Sequence, residues 1–144
     1  MISKTGKYGI RAMLVLARLP ADEYAGTPQI AELASIPPSY LRKLFQTLAK
    51  SGLVKSQRGI AGGFRLARDA NLITVYDILA ALEPIDRWSE CFLDNTECSE
   101  DQACSIHSHW KAVQEAYLKM LRQSTLSELA TRVSLQRQLC DQPP

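Results

Sequence analysis

The stretch SYLRKLFQTLAKSGLVKSQRGIAGGFRLA, residues 39–67, changes its periodicity halfway along. At its start Leu41, Leu44, Phe45 and Leu48 recur at helical spacing and form one apolar stripe, while Arg42, Lys43, Gln46 and Lys50 lie away from it. Gly52 stands where a helix accepts a left-handed residue and stops. Beyond it a pair of short strand-like runs, residues 53–58 and 64–68, flanks the reversal GIAGG, whose glycines permit a tight turn. The stretch therefore predicts a helix followed by a basic hairpin, with Arg58 near the tip and Arg65 and Arg68 on the return strand.

Upstream, SKTGKYGIRAMLVLARLP predicts a helix capped by Ser3, with Ile10, Met13, Leu14 and Ala17 at three-to-four spacing and Pro20 at its end. ADEYAG reads as a turn. Thr27 is the expected N-cap of the short helix PQIAELA, with Pro28 as its first helical residue. SIPP forces a second turn, because each proline restricts the residue before it, and Pro38 then fits the first turn of the next helix. Helix, helix, short turn, helix and hairpin is the order of a winged helix-turn-helix. The expected class is mostly α with a small β wing, and residues 1–83 form the expected DNA-binding domain.

The physics of recognition suits that order. One helix fits the major groove, which is about 12 Å wide, and a hairpin can reach the adjacent backbone or the minor groove, where negative potential favours Arg. Thr27, Pro28, Ser39, Tyr40, Arg42 and Lys43 are the expected DNA-binding residues of the helices. Arg58, Gly59, Gly62, Gly63 and Arg65 are those of the wing. The expected partner is double-stranded DNA with a pseudo-palindromic operator.

Charge agrees. The 144-residue chain carries a net +2, but residues 1–70 hold eleven Lys and Arg against four Asp and Glu, a net of +7, and residues 71–144 hold six against eleven, a net of −5. A basic half points to a polyanionic partner. No apolar run approaches the ~18 residues that span a bilayer, so no membrane partner is expected. The N-terminal MISKTGKYGIRAMLVLARLP is interrupted by Arg11 and Arg18 and is followed by no small-residue cleavage site, so it reads as a helix of the mature protein. The expected location is the reducing cytoplasm, where clustered cysteines more often bind metal or sense redox state than form disulfides. No Ser/His/Asp set, phosphate loop or paired carboxylates support an enzyme.

Beyond the wing, Thr74 and Asp77 form a capping pair for VYDILAAL, which Pro84 ends. From Ser105 a long helix places Trp110, Val113, Tyr117, Met120 and Leu121 on an apolar stripe that needs a cover. Helix-turn-helix proteins usually read two half-sites, so the expected cover is a second copy, with residues 105–135 as dimerisation helices. Thr125 and Glu128 form a second capping box for a shorter helix with Leu126, Leu129 and Val133, and residues 136–144 read as a disordered tail.

Between them, residues 84–108 form the expected cofactor-binding loop. Three of the four cysteines and both histidines lie in CFLDNTECSEDQACSIHSHW, residues 91–110. The spacing is Cys91-x6-Cys98-x5-Cys104-x2-His107. Cys104 and His107, three apart at a helix start, share a face, and a helix N-terminus favours thiolate at Cys104. His109 turns away. No short Cys-x2–4-Cys knuckle of a structural zinc site is present, and no ferredoxin run matches. The chemistry is that of a soft-metal site, open between iron–sulfur, zinc and a thiol switch. An iron–sulfur electron carrier is the reading from another class, and the basic first half speaks against it. Cys140 reads as a free tail thiol.

Taken together, MISKTGKYGIRAMLVLA, residues 39–67 and the three-cysteine loop resemble the Rrf-two family of bacterial regulators, of the IscR and NsrR type, from Met1 to about Val133. The resemblance implies a homodimeric winged-helix regulator whose cluster state controls DNA binding. One branch holds a 2Fe–2S cluster on three cysteines and a histidine, which here are Cys91, Cys98, Cys104 and His107. The first cysteine gap is one residue longer than in that branch. Other relatives hold a 4Fe–4S cluster with an N-terminal acid of the partner subunit. Here position 8 is Tyr and the first acid is Asp22, so that ligand is not seen, and within the resemblance it is His107 that favours 2Fe–2S over 4Fe–4S.

Overall fold

The computed structural model describes residues 2–84, 89–93 and 100–132. Within them the order is α1 (Lys4–Arg18), α2 (Thr27–Ala34), α3 (Pro38–Lys50), β1 (Val54–Gln57), β2 (Gly63–Leu66), α4 (Val75–Leu82), α5 (His107–Gln123) and α6 (Leu126–Arg132). This is a mostly helical chain with a two-stranded wing, as the periodicities predict. Cys98, Val133, Cys140 and the expected tail lie outside the described residues.

The helix signals are realised with one shift. Ser3 caps α1 by accepting the Gly6 N–H at 3.0 Å. α2 starts one residue earlier than expected. Gly26 is its N-cap, Thr27 is already helical, and no side chain caps the helix. The cause is upstream: Ala25 and Phe64 exchange both backbone hydrogen bonds (2.9 and 2.8 Å), which holds the chain extended up to Gly26. Ser35, at φ 54°, turns the chain out of α2. α3 begins at Pro38 and buries Leu41, Leu44, Phe45 and Leu48. It ends at Lys50, and just beyond it the Gly52 and Leu53 N–H groups bond the Ala49 and Leu48 carbonyls, both at 3.0 Å.

The wing pairs Val54 with Leu66, Lys55 with Arg65, Ser56 with Phe64 and Gln57 with Gly63. Its strands are shorter than the expected runs, 53–58 and 64–68, and residues 58–62 form the turn between them. Gly63, at φ 144°, lies so close to the Ala25 carbonyl that a Cβ there would collide with it. Phe64 rests on Phe45 of α3 with ring centroids 4.6 Å apart. The wing is thus fastened to α3 by an aromatic pair and to the start of α2 by backbone bonds.

Met13, Ile30, Leu41, Phe45, Leu48, Ile73, Ile78 and Leu126 are fully or almost fully buried in one core. Leu126 belongs to α6, so the chain returns from α5 to the winged helix. The return is stitched by Leu126 N–H to the Ile73 carbonyl (2.8 Å) and Val75 N–H to the Ser124 carbonyl (2.9 Å). Thr74 and Asp77 form the expected capping box of α4. A second, smaller cluster of Val75, Leu79 and Leu121 joins α4 to α5.

Candidate nucleic-acid interface and candidate metal centre

The stripe that buries α3 leaves its opposite face exposed, and that face looks across a groove at the wing. The groove has a volume of about 960 Å³ and is walled by Thr27 and Pro28 of α2, by Arg42, Gln46 and Lys50 of α3, and by Arg58 of the wing. Residues four apart share a helix face, which brings Arg42, Gln46 and Lys50 into line. Gly59, Gly62 and Gly63 also line it. Among the described residues, Arg42, Lys50 and Arg58 have no carboxylate partner, so their charge is available to an anion.

Of the eleven expected contact residues, seven line this groove: Thr27, Pro28, Arg42, Arg58, Gly59, Gly62 and Gly63. Ser39 is exposed on the first turn of α3. Three sit elsewhere. Tyr40 leans on α1, with its hydroxyl 2.6 Å from Thr5 Oγ1 and its ring edge-on to Tyr8 at 5.4 Å. Lys43 lines a separate cleft with Thr5, Tyr40 and Leu82. Arg65 pairs across the ladder with Lys55, one residue out of step with Phe64, and so stands on the other face of the wing. There it lies 4.7 Å over the Tyr24 ring and donates to the Asp22 carbonyl at 3.2 Å. Gln46, Lys50, Ser56 and Gln57 complete the groove and are not among the expected contacts. For α3 the signal is present in the sequence, as the polar residues opposite the apolar stripe. Ile60 is fully exposed at the wing tip.

The cysteine region is built on the start of α5. The Glu90 carbonyl accepts two hydrogen bonds from that helix, from Trp110 Nε1 at 2.9 Å and from Gln114 Nε2 at 3.0 Å. Phe92 packs edge-on against Trp110 at 5.2 Å. Cys91, between these two anchors, is buried. His107 opens α5, is buried, and lies three residues before Trp110 on the same face, whereas His109 is exposed. Cys104 is half-buried and precedes the helix. It lies in a turn in which its carbonyl accepts the His107 N–H at 3.0 Å. The expected helical pairing of Cys104 and His107 is therefore replaced by a turn, because α5 starts only after its N-cap Ile106.

Two buried or half-buried thiols and a buried imidazole are thus carried at one end of α5, and their donor types suit a soft metal. Cys98, the remaining donor of the expected set, lies outside the described residues. Among the described residues no three His, Cys, Asp or Glu side chains gather closely enough to hold an ion.

The apolar stripe of α5 divides. Leu121 is buried within its own chain against Val75 and Leu79, and Tyr117 packs beside it. Trp110 is used by the loop. Val113 and Met120 remain half-exposed. Within the chain itself, α4 packs on Leu121 and Tyr117, and Phe92 packs on Trp110. Among the described residues no helix is long and apolar enough to cross a membrane.

Comparison with known proteins gives this arrangement its context. The family profile described as Rrf2, iron-dependent transcriptional regulator, matches residues 2–132. The HTH-type transcriptional regulator IscR of Photobacterium profundum is 34% identical over 128 residues, covering 89% of this chain and 74% of that protein. Among solved structures, CymR, the global cysteine regulator of B. subtilis, superposes with a TM-score of 0.79 at 31% identity over 93% of this chain and 98% of its own. T. potens IscR does so with a TM-score of 0.75 at 30% identity, covering 99% of this chain and 93% of that one. With a profile that spans nearly the whole described chain and a winged helix in the same order, the chain belongs to the Rrf2 family of DNA-binding transcriptional regulators.

Proposed function

We propose that operator binding by this regulator is controlled by an iron–sulfur cluster, of 2Fe–2S type, held by Cys91, Cys98, Cys104 and His107. The observation that carries the reading is the double anchor of Glu90 on α5, which fixes Cys91 at the end of the helix that His107 opens. When bound, the cluster supplies a redox-active charge and a covalent tie between the loop and α5. Tying α5 bears on the reader because α5 packs on α4 and continues into α6, whose Leu126 lies in the same core as Leu41, Phe45 and Leu48 of α3. Operator contact falls to the groove between α3 and the wing, with Arg42, Lys50 and Arg58 neutralising phosphates or reading base edges. A two-fold homodimer joined through the exposed side of α5 at Val113 and Met120 presents two such grooves to a pseudo-palindromic site.

A histidine ligand is neutral where cysteine is a thiolate, so it leaves the site less negative and raises its reduction potential. The test is anaerobic purification with an absorption spectrum and iron and sulfide analysis. Two irons and two sulfides per chain are expected, with a spectrum that changes or is lost in His107→Ala and is retained in His109→Ala. Four irons per cluster, zinc in place of iron, or an unchanged His107→Ala spectrum would reject the assignment.

A further inference from the structure

The first two turns of α1 touch both the root of the cysteine loop and the first turn of α3. On one side Glu83, the last residue before Pro84 and the loop, accepts from the Ser3 N–H at 3.0 Å and from the Ser3 hydroxyl. Ser3 is itself the cap of α1. The approach is close enough that a Cβ at Gly6 would collide with the Glu83 carboxylate. On the other side the Tyr40 hydroxyl meets Thr5 Oγ1 at 2.6 Å, and the Tyr40 ring stands edge-on to Tyr8. Tyr8 is fixed in turn by Lys4 and Arg11, whose charges lie 5.4 and 5.6 Å from its ring centre. Beside this contact a cleft of about 170 Å³ is lined by Thr5, Tyr40 and Leu82, the residue before Glu83.

We propose that Glu83, Ser3, Thr5 and Tyr40 form the link through which the cysteine loop positions α3. Glu83 sets the first turn of α1, and that turn sets Tyr40 and with it the first turn of α3. Glu83 and Tyr40 are positioning residues and need not touch DNA. The inference rests on the reading that the loop controls operator binding, but the contacts can be tested without cofactor or operator.

The experiment is amide hydrogen exchange on the cofactor-free full-length protein. It follows the Gly6 N–H, which is bonded to Ser3 Oγ, and the Leu41 N–H, which is bonded to the Pro37 carbonyl at 3.0 Å in the first turn of α3. Glu83→Ala should speed exchange at both by roughly fivefold, the factor that one typical net hydrogen bond corresponds to. Glu83→Gln, which keeps an acceptor oxygen, should restore most of the protection. In Tyr40→Phe, which keeps the ring but not the hydroxyl, adding Glu83→Ala should speed Gly6 alone. Thr5→Val should speed Leu41 and spare Gly6. The link is refuted if Leu41 is unmoved in Glu83→Ala. It is equally refuted by a matching rise at Leu129 in α6, which would mean general loss of stability, or by an undiminished Leu41 response in the Tyr40→Phe background. A wild-type protein whose operator affinity ignores the loop's state would refute cluster control while leaving these exchange results to decide the link.

Discussion

Trp110 donates its indole N–H to the Glu90 carbonyl at 2.9 Å, so the residue next to Cys91 is fixed by α5 rather than by the loop's own sequence. Removing that donor should loosen the cysteine without unfolding the helix. Trp110→Phe is expected to raise the alkylation rate of Cys91 by about fivefold, in line with one net hydrogen bond, and to leave Cys104 nearly unchanged. Mass-spectrometric thiol footprinting of the cofactor-free protein measures both. Equal rates at Cys91 in variant and wild type would show that the anchor does not hold it.

The two wing arginines should behave differently. Arg58 lines the groove, whereas Arg65 is occupied by the Tyr24 ring and the Asp22 carbonyl on the other face. Removing one phosphate-neutralising charge lowers the log–log salt slope of binding by about 0.9. Arg58→Ala should show that drop, and Arg65→Ala should show less than half of it. Salt titrations of both on one duplex make the comparison, and a reversed order would place the DNA on the far face of the wing.

The division of the α5 stripe separates assembly from stability. Val113→Glu and Met120→Glu change half-exposed residues and should give monomers in sedimentation with little change in unfolding. Leu121→Ala removes a side chain buried within its own chain, and such truncations cost about 2–5 kcal/mol. A Val113→Glu, Met120→Glu double variant that sediments as a dimer would locate the interface elsewhere.

Tyr117 provides an alkaline signature. Burial, with the nearby Glu83 carboxylate adding to it, pushes its hydroxyl above the ordinary value of about 10. The folded state therefore holds the proton more tightly than the unfolded chain does. The resulting stability is complete below the ordinary value and is lost as pH rises through it towards the folded value. Chemical denaturation across that range should show a decline that Tyr117→Phe makes shallower. An identical decline in the variant would assign the effect to other groups.

The features legible in the sequence are those set by neighbours a turn or two away. The Leu41, Leu44, Phe45 and Leu48 stripe, the Ser3 cap, the Thr74–Asp77 box and the glycines of the wing declare themselves through spacing, and the structure realises each. Tyr40 and Arg65 read as DNA contacts in the sequence because their own elements are basic and exposed. Their partners within the fold, Thr5, 35 residues from Tyr40, and Asp22, 43 residues from Arg65, leave no trace in local pattern. α2 starts early for the same reason, since Ala25 is held by Phe64 across the fold. A helical stripe, likewise, shows that a cover is needed but not which surface provides it. Leu121 is covered by α4, Trp110 by residues 89–93, and only Val113 and Met120 are left half-exposed.

Control of operator affinity by the state of the cysteine loop is the proposal on which the rest depends. It is tested most directly by anisotropy titration of a duplex that the protein itself has selected from a random library, at one fixed salt concentration. Anaerobically prepared, cofactor-loaded protein is compared with the same preparation after the cofactor is removed. Affinities that differ by about 5- to 150-fold, the range of ordinary allosteric coupling, are expected. Superimposable titration curves for the loaded and stripped protein would contradict the proposal.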